Sequence, residues 1–258
     1  MHASKFHKVK QNKSSARFRV GTSGWNYPDW RGKFYPPNLA QHKWFDHYAE
    51  HFETVEVNAT FYRTFKDTVY EKWRDRAPGG FTYVLKAPKR ITHRKHLLEA
   101  EEDILNFCNS CSILGNRFGL ILLQIAPNTP ADPGRLKAAL SGFPDPRRVA
   151  VEFRRGEWFT DKVRSVLEDA GAVFCSADSP KTRLLPWVTS DAAYIRLHGR
   201  REWFTDEYTG GELEEIADLA RHMAEKGAKT VFIYFNNDVG AAAVRNASKL
   251  KEILGTNP

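Results

Sequence analysis

A-V-E-F-R, residues 150–154, is the stretch that decides the fold. Strand side chains alternate between faces, so Val149, Val151 and Phe153 share one side while Ala150, Glu152 and Arg154 share the other. An apolar run that acquires charged residues on one face and then breaks into a loop reads as a buried strand with a working end. Five more runs end the same way: T-V-E-V-N (54–58), Y-V-L-K (83–86), L-I-L-L-Q (120–124), Y-I-R-L-H-G (194–199) and I-Y-F-N-N-D (233–238). Two weaker runs, F-R-V-G-T-S-G (18–24) and A-V-F-C-S-A-D (172–178), bring the set to eight.

Helix-compatible segments lie between most of these runs, at 41–52, 67–76, 97–114, 133–141, 161–171, 211–226 and 239–254. In 97–114, Leu98, Ile104, Leu105, Cys108 and Cys111 fall near one face. Asp132 is placed to cap the 133–141 helix and Gly171 to end the 161–171 helix. The pentapeptide E-W-F-T-D occurs at 157–161 and again at 202–206, its Thr and Asp suited to a helix start. Strands alternating with helices form a parallel sheet, and eight such units in 258 residues fit one (β/α)8 TIM barrel with long aromatic-rich βα loops. A doubly wound open sheet is the alternative.

The chain carries a formal charge of +8. Lys5, Lys8, Lys10, Lys13, Arg17 and Arg19 have no acidic neighbour among residues 1–19, and the remainder holds 33 basic and 31 acidic residues. The excess therefore sits in a basic tail, residues 1–17, expected to be disordered, ahead of a barrel domain at 18–258. No apolar run reaches the length of a membrane span, and the N-terminus lacks the apolar core of a secretory signal. Three cysteines do not make a disulfide framework, so a cytoplasmic setting is expected.

Parity places the polar strand residues inside the barrel, because the all-apolar face must meet the helices. Glu56, Lys86, Gln124, Glu152, Arg154, Asp178, Arg196 and His198 are read as pointing inward. Unpaired burial of such charges costs several kcal/mol, so they must pair with each other or bind something charged. Strand ends at this face are also where barrel enzymes place their chemistry. Glu152, Glu56 and His198 are the candidate catalytic residues. Lys86, Arg154, Asp178, Arg196, Asn58, Asn236, Asn237 and Asp238 are the candidate substrate- or anion-binding residues. Asn236, Asn237, Asp238 and Gly240 lead into the last helix, whose N-terminus suits a phosphate. Loop aromatics (Trp25, Tyr27, Trp30, Tyr35, Phe61, Tyr62, Trp158, Trp203, Tyr208) could stack on a ligand, but more simply hold long loops in place.

No cofactor is expected. His198 with Glu56, Glu152 and Asp178 is the weak case for a divalent metal, and His93 and His96 read as surface residues. Cys108-Asn-Ser-Cys111 lies late in a helix and reads as buried small residues rather than a redox pair. There is no Walker A, no G-x-G-x-x-G, and no G-x-S-x-G around Ser23.

G-T-S-G-W-N-Y-P-D-W-R-G-K-F-Y-P, T-V-E-V-N-A-T-F-Y-R, I-T-H, V-E-F-R, R-L-H-G and Y-F-N-N-D, in this order, closely resemble the YecE-like family, domain of unknown function 72. The resemblance runs over roughly 18–254 and implies a TIM barrel; it brings no agreed reaction and no catalytic residue. The function expected from the residues is acid/base chemistry on a small anionic substrate, phosphorylated or not, at the barrel mouth, with Glu152 or Glu56 moving protons. The alternatives are a nucleic-acid binding or processing protein, in which tail and mouth act together, and a non-catalytic metabolite sensor.

Overall fold

The computed structural model describes residues 16–256. Its elements follow the expected alternation: β1 (Arg17–Thr22), α1 (Trp44–His51), β2 (Thr54–Val57), a one-turn α2 (Ala59–Tyr62), α3 (Asp67–Arg76), β3 (Thr82–Lys86), α4 (Glu101–Ser112), β4 (Phe118–Gln124), α5 (Pro133–Ser141), β5 (Val149–Glu152), α6 (Asp161–Ala170), β6 (Val173–Asp178), β7 (Ala192–Leu197), α7 (Gly210–Glu225), β8 (Thr230–Phe235) and α8 (Ala242–Leu254). Every strand pairing is parallel, in the order β1-β8-β7-β6-β5-β4-β3-β2. Eight parallel strands thus form a nearly closed barrel surrounded by helices.

The barrel has a seam where β1 meets β2. Among the described residues, only the bridge between Ser23 and Glu56 continues the ladder there. Along the rest of the seam one side chain replaces the missing backbone bonds. The Tyr48 hydroxyl, carried by α1, accepts from the Thr22 N–H and from Thr22 Oγ1 at 3.0 Å each, and donates to the Thr54 carbonyl at 3.0 Å. Gly21 lets the strands come this close, because a Cβ there would overlap the Thr54 carbonyl oxygen.

Two layers fill the interior. Val84, Leu120, Leu122, Ala150, Val173, Cys175, Ala192, Tyr194, Phe232 and Tyr234 form an apolar floor. Above it, toward the C-terminal strand ends, lies the polar layer. Outside, alternate strand residues such as Leu85, Ile121, Val151, Ile195 and Ile233 pack against the helices.

Local signals account for most helix boundaries. Asp132 accepts from the Arg135 N–H and caps α5, and Thr160 accepts from the Val163 N–H and caps α6. Gly171, at φ 65°, ends α6 in the left-handed region. The second E-W-F-T-D does not start a helix. α7 begins four residues later behind a Thr209–Glu212 capping box, and Asp206 instead accepts from the N–H groups of Arg200 and Arg201. The 97–114 helix starts late, at Glu101, because His96, Leu97 and Glu99 have positive φ. Its buried face is Ile104, Phe107 and Cys111, while Leu98 and Leu105 are exposed. The last helix likewise begins at Ala242, after a kink at Gly240 and Ala241.

Of the expected tail, residues 1–15 lie outside the described residues, and Arg17 opens β1. The three cysteines are free. Among the described residues no helix is long and apolar enough to cross a membrane.

The seam supplies a test. Tyr48→Phe keeps the packing but leaves the buried Thr22 N–H and Thr54 carbonyl unpaired. It is expected to lower stability by roughly 1–3 kcal/mol, seen as a fall in urea midpoint with unchanged slope.

Candidate functional site

Arg196 is the centre of the polar layer. It stands on β7 with 1% of its surface exposed, on the same strand face as Tyr194 and one step nearer the mouth. Its Nε and Nη2 donate to Glu56 on β2, at 2.9 and 2.7 Å. Its Nη1 donates to Glu152 Oε2 on β5 at 2.9 Å. Both carboxylates are 0% exposed. The remaining lone pairs are also occupied. Ser23 Oγ and the Tyr194 hydroxyl donate to Glu56 at 2.7 and 2.5 Å. Gln124 Nε2, Arg154 Nε and His198 Nε2 reach Glu152 at 2.8, 2.9 and 3.1 Å.

Burial by itself would raise the pKa of both glutamates. The Arg196 guanidinium, with Tyr194 and Ser23, overrides it at Glu56, and Arg154, Arg196 and His198 override it more strongly at Glu152. Both are held below the usual carboxylate range and stay ionised. His198 is the reverse case. Burial, then the Arg196 charge, lowers it to about 4 against the pull of Glu152. Its neutral ring donates from Nε2 to Glu152, and Nδ1 accepts from Asn236 Nδ2 at 2.9 Å. That tautomer satisfies both neighbours, with the Asn236 amide assigned from the same network.

Two cations rise above this layer on the β3 and β5 side. Arg154 uses its Nε on Glu152 and lays its guanidinium 5.2 Å from the Trp203 ring, leaving its Nη groups without a hydrogen bond among the described residues. Lys86 is 8% exposed and has no ion-pair partner among the described residues. Its Nζ lies 4.3 Å from the centroid of Phe61. Burial, then Arg196, lowers Lys86 to about 7, more than Glu152 and Glu56 can restore. His93, expected at the surface, is half-buried against the Phe61 ring at 4.9 Å, and Lys86 helps depress its pKa after burial. Signals for His93 and Phe61 existed only in the I-T-H and N-A-T-F-Y motifs; neither lies on a strand, so parity could not reach them.

Not every expected residue joins the group. Asn58 touches it marginally, 3.5 Å from Arg196 Nη2. Asp178 does not point inward: Val173 and Cys175 of the same strand line the floor, so Asp178 faces outward and pairs with Arg200 Nε at 2.7 Å. Asn237 also faces outward, donating to Asp206 O and to Asn246 of α8. The corner expected to take a phosphate is already occupied. Gly240 N–H donates to Asp29 Oδ2 at 2.8 Å, and burial followed by Asp29 raises the pKa of neighbouring Asp238. An anion there would meet two carboxylates.

Glu56, Glu152 and His198 each meet Arg196, but their donor atoms do not draw together as a metal set would; the guanidinium stands among them. Elsewhere His47, Glu50 and His51 on α1 bring one donor atom each within 4.8 Å of one another on a mostly exposed face. Two open cavities of about 290 and 440 Å³ lie at the N-terminal strand ends, bordered by Arg19 and Lys251 and by Leu120 and Arg148. Neither adjoins the polar layer, and the perturbed titratable groups mark the mouth as the better candidate. The loop aromatics mostly extend the main core: Trp30, Tyr35, Trp158 and Tyr208 are buried in it, while Phe61 and Trp203 lie against Lys86 and Arg154.

Residues 19–258 match the family described as "Protein of unknown function DUF72", and the chain belongs to that family. It is similar to the UPF0759 protein YunF of Bacillus subtilis (strain 168), at 25% identity over 91% of this chain and 94% of that protein. It is 28% identical to the UPF0759 protein YecE of Escherichia coli (strain K12) over 54% of this chain and 49% of that one. Among solved structures, a DUF72 family protein from Thermotoga maritima MSB8 superposes with a TM-score of 0.84 at 26% identity, over 93% of this chain and 99% of that one. A second, from Enterococcus faecalis V583, gives a TM-score of 0.80 at 20% identity, over 93% and 98%.

Arg196→Met strands two buried carboxylates and is expected to destabilise the fold by about 3–5 kcal/mol in urea unfolding. His198 adds a pH signature. Its pKa falls from 6.5 to about 4 on folding. Only the unfolded chain takes up that proton in between, so stability must drop as pH falls through this window. His198→Gln is expected to flatten the drop between those two pH values. The glutamates add a further loss below about 4.5, where the unfolded chain protonates first.

Proposed function

We propose that this DUF72 family member is an enzyme for a small anionic metabolite, with Lys86 and Arg154 as the reactive lip. The observation that carries this reading is the imbalance above the buried layer. Two glutamates balance Arg196 and Arg154, and Lys86 is left over with no carboxylate of its own. A cation so placed is satisfied best by an incoming anion.

The saturation of Glu56 and Glu152 argues for a positioning role. A proton carrier near neutral pH needs a pKa close to the working pH, and both glutamates are pushed away from it. His198 is neutral, fully buried and engaged at both ring nitrogens. Lys86, at about 7, is matched to general-base work and touches the open end of the barrel. In this reading the glutamates and His198 set the orientation of Arg196 and Arg154, Arg154 binds the anionic group through its free Nη pair, and Lys86 accepts the proton.

Calorimetry with a panel of small carboxylates and phosphates tests the reading. Arg154→Gln is expected to weaken the best ligand roughly 10–100-fold, the worth of a charge-assisted pair. Binding measured at about pH 8 in buffers of different ionisation heat should show proton uptake, because a bound anion raises the Lys86 pKa. Uptake that persists in Lys86→Met, or an affinity untouched by Arg154→Gln, would overturn the assignment.

A further inference from the structure

Lys86 has the surroundings of a nucleophilic amine as well as those of a base. The root of its side chain is fixed: its carbonyl accepts from Thr60 Oγ1 at 2.7 Å, and the Ala87 N–H donates to the Leu122 carbonyl at 2.9 Å. The side chain then runs past the Phe61 ring, which covers the amine on one side. Arg196 and Arg154 lie within electrostatic reach and disfavour the ammonium form, while Glu56 and Glu152 are turned to those arginines. His93, from the turn after β3, is the other titratable group facing it. Lys86 is the last residue of β3 and keeps 8% of its surface exposed at the C-terminal end of the barrel. An amine desolvated beside fixed cations is the arrangement that frees a lysine for attack on a carbonyl.

We infer that Lys86 forms an imine with a small 2-oxo acid, a deepening that rests on the anion-binding reading of the same lip. The substrate class follows from the neighbours. The two free Nη groups of Arg154 match a carboxylate bidentately, and because Arg154 acts electrostatically on Lys86, we place the carbon next to that carboxylate at Nζ. The uncharged amine adds to the carbonyl carbon, giving a carbinolamine. The carbonyl oxygen then leaves as water with the two amine protons, a C=N bond forms, and the imine takes one proton from solvent. The resulting iminium withdraws electrons from the adjacent carbon. The reaction it serves is therefore proton removal, or making or breaking a carbon–carbon bond, at that carbon. Phe61 and His93 flank the place where that chemistry occurs.

The test is reductive trapping on the full chain. Pyruvate, glyoxylate and 2-oxoglutarate are incubated separately with sodium cyanoborohydride, and adducts are read by intact mass and by peptide mapping. The expected result is one adduct, on the peptide holding Lys86, lost in Lys86→Met and reduced at least roughly tenfold in Arg154→Gln. Mapping on the unsubstituted protein keeps the test valid if Lys86→Met fails to fold. Adducts scattered over surface lysines, or no adduct with any of the three, overturns the imine. Calorimetry with lactate, which has the carboxylate but no carbonyl, separates the two ideas. Lactate binding that depends on Arg154 without any adduct leaves the anion reading standing and removes the imine. No binding of either acid type removes both.

Discussion

One guanidinium organises the barrel mouth. Arg196 is enclosed by β2, β5 and β7, almost without solvent, and bonds two carboxylates that are themselves fully buried. Taking three charges out of water is expensive, and the attraction between them offsets that only when the geometry is good and the leftover lone pairs are filled. Both conditions hold. Five further donors, from Ser23, Tyr194, Gln124, Arg154 and His198, complete the two glutamates. With the glutamates they span the ends of five strands, β1, β2, β4, β5 and β7, so the cluster also ties the strand ends in register. An ion cluster of this kind contributes little to net stability compared with an apolar core. Its presence where apolar packing would suffice is what makes a functional explanation the better one.

The same saturation decides which groups are free to react. A carboxylate with all its lone pairs engaged and its pKa depressed has no proton to give and no easy way to take one. The cluster therefore acts as a fixed electrostatic floor. Its field falls on the groups just above it: it aims Arg154 through Glu152 and, through the Arg196 charge, weakens the hold of Lys86 on its proton. In the proposed function the chemistry therefore lies one level up the barrel from the buried charges. In the proposed function this suits an amine rather than a guanidinium at the end of β3. Only the amine can lose its proton in the physiological range.

Much of this was legible in the chain. Strand five and strand seven each offer one clean apolar face, which fixes the direction of Glu152, Arg154, Arg196 and His198 without ambiguity. The cost of burying them unpaired forces a network. Strand six defeats the same rule: its apolar face, Val173, Cys175 and Ala177, turns inward onto the floor, while the mixed face of Phe174, Ser176 and Asp178 turns outward, so Asp178 was misplaced. The second E-W-F-T-D failed for a related reason. A five-residue pattern suits a helix start, but Asp206 has two arginine N–H groups and the Arg201 side chain to serve before any helix. Which acid goes to which base depends on distances across the barrel, so the isolation of Lys86 could not be read from sequence at all.

The long loop after β1 explains why the β8 corner is closed to an anion. In many barrels the start of the last helix offers bare N–H groups to a phosphate. Here the aromatic loop folds across the seam onto that corner: Trp30 donates to the Asp238 carbonyl at 2.7 Å, and Asp29 takes the Gly240 N–H. The loop is itself held by a stack of rings, Trp30 on Tyr35 and Tyr35 on Trp44, whose helix also carries the Tyr48 that closes the seam. Closing the barrel between β1 and β2 and filling the β8 corner with carboxylates are thus one structural event. The positive potential left at the mouth lies opposite, at the ends of β3 and β5, where Lys86 and Arg154 stand without acids to spare.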